Sequence, residues 1–304
     1  MRNSFLILFL LLFQTQYSSA MEIALSFDDA PRRLTGYFSG MERAKKLVKE
    51  LKAVNVSDAV FYCNSSHINS ESDKIIQFYN DAGYTIANHT HSHPSFNKTN
   101  FEDYKKDFLK ADKFLSKYSN FKKLFRFPYL REGGLHKRDP MRKLLKDKGY
   151  QNAYITVDFS DWHLESLLRE SIEEKQTVDL NKVRDLYLSL AKESLNHYDS
   201  LAKKYLNRSP KHVLLLHETD LAALFIGDLV KAMRSWGWKI ISSKEAYTDE
   251  ISKFNIVQFL KNNPGRVGEI AVANKHPMSD VWAQETYPTC ITKRYQNEVI
   301  QKNK

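Results

Sequence analysis

The sequence predicts an α/β fold in which short parallel strands alternate with helices and close, or nearly close, into a barrel. Two observations carry this expectation. Short apolar runs alternate with stretches of helical spacing from residue 23 to residue 241, the pattern of a parallel sheet covered by helices. Titratable or hydrogen-bonding residues also gather just after nearly every apolar run, and in barrels the chemistry sits at the C-terminal ends of the strands. The number of strands favours a barrel over an open sheet, and a chain of 304 residues can form such a barrel as one domain.

The elements follow in order. Residues 23–27 are an apolar strand, and residues 41–54 place Ala44, Leu47, Val48 and Leu51 at helical spacing with lysines between. A strand is expected at 59–62 and a helix at 70–82, with Gly83 as its C-cap. Then come a strand at 84–87, a helix over 101–118, a strand at 124–127, and a helix over 140–148 stopped by Gly149. A strand at 153–157 is followed by two helices within 164–174 and 180–206. A strand at 213–216, a helix over 221–235 and a last strand at 238–241 complete the alternation.

The first twenty residues stand apart. Arg2, the apolar run from Phe5 to Phe13 and the small residues ending at Ala20 form a secretory signal. The run is too short for an ordinary membrane span, and no later segment could cross a bilayer. The expected organisation is a signal at 1–20, a catalytic domain at 21–248 and a C-terminal extension at 249–304 that packs on the barrel. Export makes the product periplasmic or secreted. The sequons at Asn55, Asn64, Asn88, Asn97 and Asn207 include one inside a histidine cluster, which points to a bacterial source.

The chain carries a formal charge of +10, and lysines and arginines are spread along it. Such a surface can meet anionic polymers, but the export signal argues against nucleic acid as a partner. Cys63 and Cys290 are far apart in sequence, and an exported protein could join them.

The strand ends hold the chemistry. The first is followed by Asp28 and Asp29, the third by His89, His91 and His93, and the fourth by Arg126, Pro128 and Tyr129. The fifth is followed by Asp158, Asp161 and Trp162, and the sixth by His217 and Glu218. Neighbouring residues on a strand point to opposite faces. Asp28 and Asp29 are therefore either a solvated turn or two groups with separate tasks. His89 and His93 are four apart, so one helical turn would set both imidazoles on one face at a metal-ligand spacing. An acid from the first strand end would add an oxygen, leaving positions open for water. His91, two residues from His89, should face elsewhere.

Taken together, Ser-Phe-Asp-Asp-Ala-Pro at residues 26–31, His-Thr-x-x-His from His89, Arg-Phe-Pro-Tyr from Arg126, Asp-x-x-Asp-Trp from Asp158 and Leu-x-His from Leu215 occur in one order. In this they resemble the five motifs of the NodB-homology polysaccharide deacetylases, carbohydrate esterase family 4. The resemblance is collinear from about residue 23 to about residue 245. It implies a distorted, incomplete (β/α) barrel and metal-dependent hydrolysis of N-acetyl groups on an N-acetylated glycan, such as peptidoglycan or a chitin-type oligosaccharide.

By that resemblance Asp28 is the general base, Asp29, His89 and His93 are the metal ligands, and Arg126 holds the base. The backbone of Tyr129 helps to bind the oxyanion, Asp158 orients the general acid His217, and Trp162 and Leu215 wall the acetyl pocket. The metal implied is zinc, with cobalt, manganese or nickel as substitutes. Two residues depart from the family pattern. Ala30 stands where glycine is usual, which would strain a turn needing positive φ, and Glu218 stands where aspartate commonly follows the histidine. Besides the sugar deacetylase, a metal amidohydrolase acting on a small amide and a non-catalytic glycan-binding protein fit the same residues.

Overall fold

The computed structural model describes residues 20–32 and 36–300. The expected export signal lies outside the described residues except for Ala20. Among the described residues no helix is long and apolar enough to cross a membrane.

Among the described residues seven strands form one sheet. They are β1 (Met21–Ala30), β2 (Val60–Cys63), β3 (Thr85–Asn88), β4 (Phe121–Phe125), β5 (Gln151–Asn152), β6 (Lys211–His217) and β7 (Trp238–Ile240). Their order is β5-β4-β3-β2-β1-β6, with β7 beside the first residues of β1, and every pairing is parallel. The helices between them are α1 (Gly40–Ala53), α2 (Asp73–Asp81), α3 (Phe101–Leu115), α4 (Leu135–Asp147), α5 (Asp161–Glu173), α6 (Leu180–Leu206) and α7 (Asp220–Ser235). Three more follow: α8 (Ser243–Ala246), α9 (Gly265–Ala273) and α10 (Pro288–Arg294).

Alternation along the strands sorts two cores. Ala24, Val60, Tyr62, Ala87, Val213 and Leu215 fill the inside of the barrel. The intervening Ile23, Leu25, Phe27, Phe61, Ile86, Leu214 and Leu216 pack outward under the helices. Parallel strands buried on both faces read as nearly continuous apolar runs, which is why residues 23–27 and 213–216 are so plain in the sequence. The start of α1 is fixed by a capping box, in which Ser39 accepts from the Glu42 N–H and Glu42 from that of Ser39.

The strand expected at 153–157 is not regular. Ala153, Tyr154 and Ile155 are consecutive yet all pack into the inner core, which a strand with alternating faces cannot do. The segment instead changes partner. The Ala153 N–H still donates to Phe125 of β4 at 2.8 Å, whereas Thr156 and Val157 donate to Val213 of β6. The barrel is therefore distorted and incomplete at this point. The first turn of α9 fills the gap: the Arg266 N–H donates to the Ile155 carbonyl at 2.7 Å, and its guanidinium lies over the Tyr154 ring. Gly265 is required there. Its φ is +81°, and a Cβ would come within 2.9 Å of the Ile155 carbonyl oxygen.

The rest of the extension packs on α5 and α6. His163 of α5 bonds Thr292 at 2.8 Å, and His197 of α6 bonds the Val281 carbonyl at 3.1 Å. Helix α4 starts one turn before the expected residue 140, so Pro140 lies inside it. Cys63 and Cys290 are both free thiols. The sequon side chains of Asn64 and Asn88 are buried and hydrogen-bonded within the fold, to the His89 carbonyl and to the Thr90 N–H.

Candidate active site and metal centre

Asp28 and Asp29 end β1 with separate surroundings. Asp28 keeps the inward direction of Ser26. Its Oδ1 accepts from Arg126 Nη1 at 2.8 Å, and the same nitrogen donates to Ser26 Oγ at 3.0 Å. Simple alternation would turn Asp29 away. The β1–β2 register shifts between Phe27 and Ala30, and Asp29 takes φ 69°. A bulge with a left-handed residue re-aims a side chain, so both carboxylates converge on one imidazole: Asp28 Oδ2 is 3.6 Å and Asp29 Oδ1 3.7 Å from His89 Nε2. The positive φ therefore falls at Asp29, and Ala30 is not among the residues that adopt one.

His89 and His93 do meet, but not across a helical turn. They follow β3 in a loop in which Thr90 and His93 have φ of 70° and 58°. Side chains hold that loop: Asn88 accepts from the Thr90 N–H, Thr90 from that of His93, and Asp107 from those of His91 and Ser92. Local bonds of this kind compete with a helix. His91 turns away to Ser65, 2.8 Å from its hydroxyl.

Asp29, His89 and His93 present three ligand atoms to one point. Their separations are 3.2 Å between the two Nε2 atoms, and 3.4 and 3.7 Å from these to Asp29 Oδ1. A tetrahedral site with bonds of roughly 2.0–2.1 Å spaces its ligands by about 3.4 Å, so the donor set fits a divalent cation. His89 Nδ1 lies 2.8 Å from the Arg126 carbonyl, which assigns it the proton and leaves Nε2 as the free donor. Burial holds both imidazoles down, to about 4, so they are neutral as ligands must be.

Arg126 is wholly buried on the barrel axis. Besides Asp28 and Ser26 it donates to the Ala153 carbonyl and to the Tyr247 hydroxyl, and it stacks on Tyr62 at 4.1 Å. Burial raises the Asp28 carboxyl, against the pull of Arg126, to about 6.

Across the cleft, His217 ends β6 and its partner is Asp161, not Asp158. Asp161 accepts from His217 Nδ1 at 2.7 Å and from the His217 N–H at 2.8 Å. Ser160, at φ 55°, turns the chain so that Asp161 opens α5 beside the strand end. Burial alone would lower the His217 imidazole, but the Asp161 carboxylate, joined by those of Asp29 and Asp28, outweighs it and holds the group at about 9. The Asp158 carboxylate accepts from the Ser160 N–H at 2.8 Å. Burial raises it to about 6.

Tyr129, at φ 57°, sets its ring against His93 with centroids 4.6 Å apart. Leu215 is buried inside the barrel one turn of alternation before His217, and Trp162 is 42% exposed at the rim. Glu218 is buried beneath the site. It accepts from Arg43 at 3.1 Å and from the Tyr79 hydroxyl at 2.8 Å, and its N–H donates to the Asp28 carbonyl. This residue thus ties the ends of β1 and β6 to α1 and α2.

Two residues carry parts that the motifs did not assign. Asp161 was visible in the Asp-x-x-Asp-Trp run, but spacing alone could not say which acid faces His217. Tyr247, just after α8, bonds both Arg126 and Tyr62, and no sequence signal marks it.

The family model for polysaccharide deacetylase matches residues 16–153, a little under half of the chain. The chain is similar to the peptidoglycan-N-acetylglucosamine deacetylase of Bacillus cereus, 30% identical over 155 residues, 49% of each chain. The match thus spans about half the length of that curated relative. Among solved structures, a peptidoglycan deacetylase from Bacillus subtilis superposes with a TM-score of 0.50 at 18% identity, over 76% of this chain and 92% of that one. A family 4 pseudoenzyme from Bacillus anthracis superposes with a TM-score of 0.54 at 16% identity, over 76% and 66%. At these identities the likeness is one of fold, a parallel-strand half-barrel with helices around it.

Proposed function

We propose that this protein is an exported, metal-dependent deacetylase that hydrolyses the N-acetyl groups of amino sugars in a glycan such as peptidoglycan or a chitin-type oligosaccharide. The observation that carries the reading is the juxtaposition of three converging side chains that could hold a cation, Asp29, His89 and His93, with a carboxylate held by Arg126, Asp28, and an imidazole paired with Asp161, His217. The peptidoglycan deacetylases among its relatives support the substrate class, and the leader-like residues 1–20 support export to the cell wall or periplasm.

The two imidazoles and one carboxylate suit zinc, with cobalt, manganese or nickel as alternatives. Such a cation, when bound, acidifies a water and polarises the amide carbonyl. Asp28, oriented by Arg126, accepts the proton of the attacking water, a role worth about 10²–10⁴-fold. The Tyr129 backbone N–H is assigned to the developing oxyanion. His217, kept charged by Asp161, gives its proton to the leaving nitrogen as the C–N bond breaks, releasing acetate and a free amine. Leu215 and Trp162 are assigned to hold the acetyl methyl.

A fold of this type also occurs as a pseudoenzyme, so the residues must decide; the presence of Asp28, His217, Asp29, His89 and His93 together supports the catalytic reading. The test is acetate release by the chain stripped of metal and then resupplied with zinc, on chitin oligosaccharides, peptidoglycan and small amides. Zinc-restored release from a glycan is expected. Release only from small amides would make it a different amidohydrolase, and no release with zinc bound would make it a binding protein.

A further inference from the structure

Beside the catalytic cleft lies a cavity of about 350 Å³ whose walls come from two parts of the chain. One wall is the loop entering α5, with Asp158, Ser160 and Trp162; the other is the C-terminal extension, with Trp282, Tyr287 and Asn262. Its volume falls within the range of small-ligand sites, from about 300 Å³ upward.

The wall from the extension is built rather than draped. The segment carrying Trp282 is anchored one residue earlier, where the buried Val281 takes the His197 bond, and α10, which follows Tyr287, is tied to α5 through His163 and Thr292. The Trp282 and Tyr287 rings stand at 58° to one another with centroids 6.5 Å apart. Trp162 presents an exposed ring from the other side. Among the described residues the Asp158 carboxylate has one hydrogen-bond donor, Ser160, so it retains acceptor capacity toward the cavity it lines. Asn262 adds an exposed amide.

Aromatic rings set at an angle, with a carboxylate and an amide lining the same cavity, match a ring that is apolar on its faces and hydroxylated at its edge. A carboxylate in the wall selects against an anionic ring. Asp158, Ser160 and Trp162, which line the cavity, flank the Asp161 that holds His217, so an occupant would lie next to the reacting sugar.

We propose that the C-terminal extension, through Trp282 and Tyr287, builds with Trp162 and Asp158 a subsite for a second, neutral sugar ring adjoining the one that is deacetylated. This deepens the glycan reading given above and rests on it. It makes the protein an enzyme of oligomeric substrates, with its chain-length preference set outside the region that matches the family model.

The test uses binding as well as turnover. The full-length chain, with zinc, is titrated with N-acetylated chitin oligosaccharides of one to five rings by calorimetry, in an Asp28→Asn background that prevents turnover. Affinity should rise about tenfold when the added ring reaches the subsite. Trp282→Ala should remove that increment while leaving single-ring binding unchanged, and Trp282→Phe should retain most of it. Tyr287→Ala is the second variant, should Trp282→Ala fail to show a cooperative thermal transition. Affinity independent of chain length, or an increment that survives both alanine variants, overturns the subsite. Trp282-dependent binding without acetate release by the native sequence would overturn the catalytic reading and leave the subsite standing. Release from glycans with Trp282-independent binding would do the reverse.

Discussion

The two halves of the site are built in different ways. Up to residue 153, where the family match ends, each functional group sits on a strand end or the loop that follows it: Asp28 and Asp29 on β1, His89 and His93 after β3, Arg126 after β4. After residue 153 the groups come from longer-range assembly. His217 depends on an acid at the start of α5, the arginine is steadied by Tyr247 after α8, and the cleft wall is completed by the extension. In the proposed mechanism the first half therefore supplies the cation ligands and the base through local backbone geometry. In that mechanism the second half supplies the proton donor, and packing between distant segments shapes the cavity beside it.

That division can be broken experimentally, and the largest effect belongs to the first half. His93→Ala should abolish stoichiometric zinc binding and lower acetate release by about 10³-fold or more, because two ligands cannot hold the cation in water. Metal analysis after dialysis checks this; a variant that retains one zinc per chain would remove His93 from the ligand set.

Next, Asp28→Asn should keep the metal and lose about 10²–10⁴-fold in kcat. The amide can still accept from Arg126, so the fold should persist while the base is gone. Full activity in this variant would end the assignment of the base.

The second half gives a pH signature. His217 must be protonated to act as acid, and its folded value of about 9 places the fall in kcat/KM on the alkaline side. Asp161→Asn removes the charge that holds it there, so the alkaline limb should move down toward about 6.5, the ordinary histidine value. The sign extends to stability. A folded pKa above the unfolded one stabilises fully below about 6.5, and the contribution fades as pH rises through about 9. Asp158→Asn should leave that limb in place, the smallest of these effects, because Asp158 bonds Ser160 rather than His217. A limb that moves in Asp158→Asn and not in Asp161→Asn would restore the assignment drawn from the motif alone.

The same division explains what could be read in the sequence. Apolar strands such as residues 213–216 and helices such as α6 announce themselves because burial on both faces or on one stripe leaves a period. The residues at strand ends were legible because chemistry-bearing types followed each strand. What stayed hidden was direction. Alternation gave Asp29 the wrong face until its left-handed φ turned it back, and the spacing of His89 and His93 resembled a helix although Asn88, Thr90 and Asp107 fold it as a loop. The choice between Asp158 and Asp161 depends on the φ of Ser160, which no spacing records. The interrupted strand at 153–155 depends on α9, more than a hundred residues away.

The most direct test of the account measures bound zinc and acetate release on the same preparations of His93→Ala and His217→Ala. The account predicts that His93→Ala loses both, whereas His217→Ala keeps one zinc per chain and loses turnover. A His217→Ala protein that sheds its metal, or that deacetylates at the native rate, would contradict the assignment of cation and proton donor to separate halves of the site.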